Sequence, residues 1–235
     1  MSISEHISKQ FNAELEAVRS SVLQMGGLVE EQIEHAVEAL TTGNIDLIEQ
    51  VIADDHRVNA MEVSIDEICS QIIARRQPTA GDLRMIMTVI KTITDLERIG
   101  DEAAKIARMA KLIYAAGRTH MPRFIEIRHV ANIALEMLRK SLDAFARLDL
   151  TAAAQVVRQD ELVDEEFRSI IRQLITFMME DPRKISTSLE ILFAAKAIER
   201  IGDHAKNMSE YVVYLVKGKD VRHVTVEEVE REAQE

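Results

Sequence analysis

The chain of 235 residues has no tryptophan, three prolines, eight glycines and one cysteine. A lone Cys69 cannot form an internal disulfide, so no covalent staple is expected and a reducing compartment is the simple reading. Aromatic residues make up 4% of the chain, so a core must come from Leu, Ile, Val, Ala and Met, and few ring faces exist to stack nucleic-acid bases. Positive charge is short too. Against 29 Lys and Arg stand 40 Asp and Glu, and the net charge of −11 argues against binding a nucleic-acid backbone. No run of about eighteen apolar residues occurs, so no membrane-spanning helix is expected. The opening "MSISEHISKQFNAELEAV" also lacks an apolar core of signal-peptide length. These absences predict a cytosolic protein that reaches a membrane only through partners.

What is present is a soluble composition, 47% hydrophobic and 29% charged, with apolar residues at three- and four-residue spacing. Pro78, Pro122 and Pro182 each fall where such a pattern stops, and Gly43, Gly81, Gly117 and Gly218 fall at ends or turns. The punctuation predicts six helices, over about 5–42, 44–76, 80–116, 123–148, 151–180 and 185–217. An acidic tail, "VTVEEVEREAQE", is expected to fray. With no strand-like alternation, the fold class is all-α, and no glycine-rich phosphate loop follows a strand.

The helices form two sets. "QVIADDHRVN" from Gln50 matches "QVVRQDELVD" from Gln155, and "EQIEHAVEAL" from Glu31 matches "EMLRKSLDAF" from Glu136. The five residues ERIGD occur twice, beginning at Glu97 and Glu199. Short links between long helices make neighbours antiparallel. The prediction is a tandem repeat of two antiparallel three-helix bundles. The first spans 1–117, the second spans 123–218, they are joined near Arg118–Arg123, and the acidic C-terminal tail covers 219–235.

At 100° per residue, Leu83, Met87, Ile90, Thr94, Glu97 and Asp101 share one stripe. Ile185, Leu189, Leu192, Lys196, Glu199 and Asp203 repeat it, so the acids are expected to extend an inward-looking apolar stripe. Two acids four apart cost an isolated helix roughly 0.2–0.5 kcal/mol, and a glycine between them about 1 kcal/mol more. Both costs recur in both copies, which points to a cation between the carboxylates. The middle helices add Asp55 and Asn59 in the first repeat, and Asp160 and Asp164 in the second. Oxygen donors from two facing helices suit hard metal ions. The other reading is internal ion pairing, because Lys105 follows Asp101 by four residues and Arg98 and Arg200 flank the glutamates. Four carboxylates, and Asn207 where the first copy has Lys105, make the second repeat the expected tighter metal site. A di-iron oxidase would need Glu-x-x-His on two helices, and only Glu126–His129 fits.

The duplicated ERIGD motifs, with "MEVSIDEICSQIIARRQPTAGDLRMIM", "FMMEDPRKI" and "YVVYLVKGKDVRHV", resemble the PhoU family over nearly the whole chain. The resemblance implies two three-helix bundles, a homodimer, and multinuclear clusters of iron, Mn, Mg or Zn. Their ligands are carried over onto Glu97, Asp101, Glu199, Asp203, Asp160 and Asp164. Asp55–Asn59 departs from the family's acidic pattern. It also implies a non-enzymatic negative regulator of the phosphate-starvation response. Its partners would be the ATPase subunit of the phosphate ABC transporter and a PhoR-type sensor histidine kinase. The competing class is a metal-dependent hydrolase or oxidase on a carboxylate bundle.

Overall fold

The structure, a computed structural model, describes residues 3–115 and 125–234, with side chains from residue 9 onward in the first stretch. The helices are α1 (Ile3–Thr42), α2 (Ile45–Arg76), α3 (Ala80–Ala115), α4 (Ile125–Arg147), α5 (Leu150–Glu180), α6 (Ile185–Lys217) and α7 (Val226–Gln234). A 3-10 turn, Pro182–Lys184, leads into α6. Among the described residues there is no strand. The junction expected at Arg118–Arg123, with the bundle boundaries at 117 and 123, lies outside the described residues.

The same turn opens the middle helix of each repeat. Asn44 caps α2 by accepting from Leu47 N at 3.2 Å, and Asp149 caps α5 by accepting from Ala152 N at 3.0 Å. The residue before each cap is left-handed: Gly43 at φ 71° and Leu148 at φ 55°. At Gly43 the position is doubly constrained, because the Tyr114 ring covers the site where a Cβ would stand. The Tyr114 hydroxyl donates to Leu40 O at 3.0 Å and ties the end of α1 to α3.

Helices α1, α2 and α3 form one antiparallel bundle and α4, α5 and α6 the other, with α2 and α5 on the outside. Two antiparallel seams join the bundles. Along α3/α6, Lys91 lies over the rings of Tyr211 and Tyr214, Asp95 meets His204, and Glu102 meets Arg200. Along α1/α4, Arg139 bridges Glu30 and Glu34, and Leu142 fills the space that a side chain at Gly26 would need. The core is as aliphatic as composition requires: Ile86, Ile93, Leu96, Ile99 and Ile106 of α3 are fully buried, and Phe145 is the one aromatic among the largest enclosed side chains.

The tail expected to fray instead forms α7. Thr225 and Glu228 satisfy each other's backbone amides at 3.3 and 3.1 Å, a reciprocal cap that starts the helix. Val221 and Val229 are buried, and Arg158 of α5 grips Glu230 through both of its carboxylate oxygens. The tail's charge hid two apolar anchors and two ionic ones, the second being Lys219 on Glu232.

Candidate functional site

The ERIGD stripes look inward only in part: Ile90 and Leu192 pack against the core and Glu199 is buried, but the start of each stripe is open. Leu83 and Met87 are 39% and 42% exposed, and Ile185 and Leu189 are 42% and 40% exposed. The covered side of α3 is the opposite one, where Leu96, Ile99, Ala103 and Ile106 meet neighbouring helices. A helix held between two seams buries most of its circumference, so apolar periodicity alone did not identify its open edge. The acids therefore line two outer grooves, α2/α3 and α5/α6.

The glycines between the acids are packing devices. A Cβ at Gly100 would stand 3.3 Å from Val58 Cγ1 of α2, and one at Gly202 would stand 3.4 Å from Val163 Cγ1 of α5. Val58 and Val163 are repeat equivalents. Each inserts beside the glycine, letting the middle helix approach and bringing its acids across from the ERIGD acids.

In the first groove the structure brings together Asp55, Glu97 and Asp101, and adds Glu62, which accepts from the Thr94 hydroxyl at 3.2 Å. Burial and then Asp101 push Glu97 upward, with Glu62 and Asp55 adding to the effect and Arg98 opposing it. Burial and Asp101 likewise raise Asp55. One Asp55 oxygen, Oδ1, is buried with no hydrogen-bond partner among the described residues. Arg98 touches Glu97 and Asp101 only at 3.5 Å, from an exposed position at the rim. Asn59 is exposed and makes no hydrogen bond among the described residues. Glu62 follows Asp55 by seven residues, a spacing that places both on one helix face. It was legible by helical period but not by repeat, because its equivalent is Phe167.

The second groove holds Asp160, Asp164, Glu199 and Asp203, with different neighbours. Lys196 Nζ lies 2.5 Å from both Glu199 carboxylate oxygens and 5.4 Å from the Phe167 ring centre. Lys206 Nζ lies 2.8 Å from Asp160 Oδ2, and Arg168 reaches Asp164 at 3.4 Å. Burial, followed by Glu199 and Asp160, pushes Asp203 up to about 6, although its outer edge meets water. The competing lysine expected at the first site, Lys105, turns away to Glu102 at 3.3 Å. The lysine competition expected of the first groove is thus found in the second, because Lys196 and Lys206 project into it.

The α3/α6 seam between the grooves is itself polar. Buried Asp95 accepts from His204 Nδ1 at 2.6 Å and from Asn207 Nδ2 at 3.4 Å, and buried Glu102 receives Lys105 and Arg200. Asn207 and His204 thus serve the inter-bundle contact. Glu126 and His129 lie on α4, outside both grooves.

Chemically, the first groove offers four carboxylates without an ammonium group among the described residues, a donor set that suits a hard cation, and one buried Asp55 oxygen has no hydrogen-bond partner there. The second offers four carboxylates that two ammonium groups already neutralise in part, and it does not fit such an ion as it stands. Among the described residues no three His, Cys, Asp or Glu side chains are gathered tightly enough to form a ready-made metal-ligand set.

Comparison with known proteins places these features. The model of the PhoU domain matches residues 22–110 and again 127–212. A Pseudomonas putida protein named phosphate-specific transport system accessory protein PhoU homolog is 50% identical over 234 residues, covering 99% of this chain and 91% of that protein. The Escherichia coli K12 phosphate-specific transport system accessory protein PhoU is 47% identical over 231 residues, 98% of this chain and 95% of that one. The crystal structure of PhoU from Pseudomonas aeruginosa superposes with a TM-score of 0.85 at 49% identity, covering 89% of this chain and all of that one.

Proposed function

The chain belongs to the PhoU family, and on that premise we propose that it is an accessory protein of phosphate transport that represses the phosphate-starvation response when phosphate is plentiful. In this reading it couples the ATPase subunit of the phosphate ABC transporter to the cytoplasmic part of a PhoR-type sensor kinase, from the cytosol and as a homodimer. No described helix is long and apolar enough to cross a membrane, which accords with a role through membrane-bound partners. The observation that carries the proposal is the PhoU domain found twice, once in each bundle, together with near-full-length identity to relatives named as transport accessory proteins. Those names also favour a regulator over an enzyme.

We further propose that the α2/α3 carboxylate groove carries the protein's metal chemistry. Asp55, Glu62, Glu97 and Asp101 would hold an ion, with Asn59 available at the edge. A bound divalent cation would supply fixed positive charge between α2 and α3, relieving the crowding that raises Glu97 and Asp55.

The test is complementation in a bacterial host lacking its own family member and carrying a phosphate-repressed reporter. Expression of the chain restores repression in high phosphate, and the protein captures the kinase's cytoplasmic domain and the transporter's ATPase subunit. An unrepressed reporter despite normal protein levels overturns the regulatory reading.

A further inference from the structure

We propose that two lysines of this chain close the α5/α6 groove to divalent metal, confining metal binding to the α2/α3 groove. The proposal rests on the reading that the α2/α3 carboxylate groove is a metal site, and the two repeats serve as each other's control.

The grooves share a register, and at three aligned positions they carry opposite chemistry. Thr94 of the first repeat corresponds to Lys196 of the second, Ala104 to Lys206, and Glu62 to Phe167. In the first groove these residues supply a hydroxyl, a methyl group and a carboxylate. In the second they supply two ammonium groups and an aromatic face.

The ammonium groups are anchored. Lys196 Nζ sits 2.5 Å from both oxygens of Glu199, the position a chelated cation would take, and the Phe167 ring backs it at 5.4 Å. Lys206 Nζ sits 2.8 Å from Asp160 Oδ2, with half or more of its side chain covered. Arg168 reaches Asp164, which leaves Asp203 as the one carboxylate of this groove with no hydrogen bond or ion pair among the described residues. A divalent ion entering here must displace an ammonium group or sit beside it, and a single carboxylate remains to hold it. Phe167 explains why Lys196 stays: its charge meets a ring face on one side and a carboxylate on the other.

In the first groove no lysine takes that position among the described residues, and Arg98 reaches Glu97 and Asp101 only at 3.5 Å from the exposed rim. Thr94 gives its hydroxyl to Glu62, Ala104 is buried without charge, and Lys105 is held by Glu102 in the α3/α6 seam. Asp55 Oδ1 is buried with no hydrogen-bond partner among the described residues. Each groove thus balances its crowded acids by its own means, the second with built-in lysines and the first with an ion from solution.

The experiment is equilibrium dialysis of the full-length protein against Mn²⁺, with bound metal measured by elemental analysis and helicity checked by circular dichroism. In the parent, Glu97→Ala, Asp101→Ala removes the bound Mn²⁺, and Glu199→Ala, Asp203→Ala leaves it in place. Lys196→Thr, Lys206→Ala, which installs the residues of the first repeat, adds Mn²⁺ that only the Glu199→Ala, Asp203→Ala changes remove. Loss of Mn²⁺ from the otherwise unaltered protein on Glu199→Ala, Asp203→Ala overturns the closure and leaves the metal reading intact. Should the parent bind no Mn²⁺ at all, the metal reading of the first groove fails. The lysine variant then decides the closure alone, a gain of Mn²⁺ upholding it and no gain overturning it.

Discussion

Val58 of α2 rests against Gly100 of α3 so closely that one added methyl group would stand 3.3 Å from Val58 Cγ1 and equally close to Gln32 Oε1. The second repeat relaxes this contact: the three nearest atoms to a Cβ at Gly202 all belong to Val163, at 3.4 Å and beyond, and Met137 stands where the first repeat has Gln32. The two glycines of an identical motif should therefore respond differently to alanine. Gly202→Ala gains helix propensity at ordinary van der Waals distance and stabilises by up to about 1 kcal/mol. Gly100→Ala meets a buried, unpaired amide and a β-branched side chain at once, which offsets that gain. Thermal unfolding of the two variants side by side checks this, and equal melting temperatures would count against it.

The Gly43–Leu148 equivalence makes a second prediction. Leu148 adopts the left-handed conformation its counterpart reaches freely, and it is 39% exposed, so it contributes limited burial there. Leu148→Gly should raise stability by up to about 1 kcal/mol, because relief of the left-handed strain outweighs the added unfolded-chain entropy. The measurement is the urea midpoint at unchanged slope.

Glu210 predicts a pH dependence. It is 6% exposed, makes no hydrogen bond or ion pair among the described residues, and lines a cleft of about 490 Å³ with Lys206, Tyr211, Arg222 and His223. Burial is the main cause pushing it from 4.5 up to about 7. An acid raised on folding is protonated in the native state where the unfolded chain has released its proton. Stability therefore falls as pH rises from the unfolded value to about 7 and levels off above it, by at most on the order of 3 kcal/mol. Glu210→Gln should flatten the melting temperature between pH 5 and 8, and an unchanged slope would assign the pH dependence to other groups.

Cys69 is fully buried on α2, and burial pushes its thiol up to about 11. It should resist a disulfide reagent at neutral pH and react at once in denaturant. Labelling of the native protein at the rate of a free thiol would show that α2 opens locally.

Truncating Val229, the buried anchor of α7, tests whether the tail docks in solution. Val229→Ala should cost roughly 1–2 kcal/mol and release the helix from α5, which limited proteolysis of the 219–235 segment would report. A tail equally resistant in both proteins would mean that its ionic contacts hold it alone.

By itself the sequence determined the six bundle helices and where α2, α5 and α6 begin, because turn residues such as Asn44, Asp149 and Pro182 act locally and the apolar period runs unbroken between them. It also determined that the ERIGD acids meet Asp55, Asp160 and Asp164, since duplicated spacings register one helix against its neighbour. Tertiary structure decided which edge of α3 and α6 stays open, because helices clasped on several sides carry apolar residues almost all round. It likewise decided that Lys105 serves Glu102 while Lys196 and Lys206 enter the second groove. A lysine's stem reaches several carboxylates from one backbone position, and the choice among them depends on what lies across the groove. The anchoring of α7 followed the same rule: charge set its exposed face, and the two valines found their cover only once α5 and α6 stood side by side.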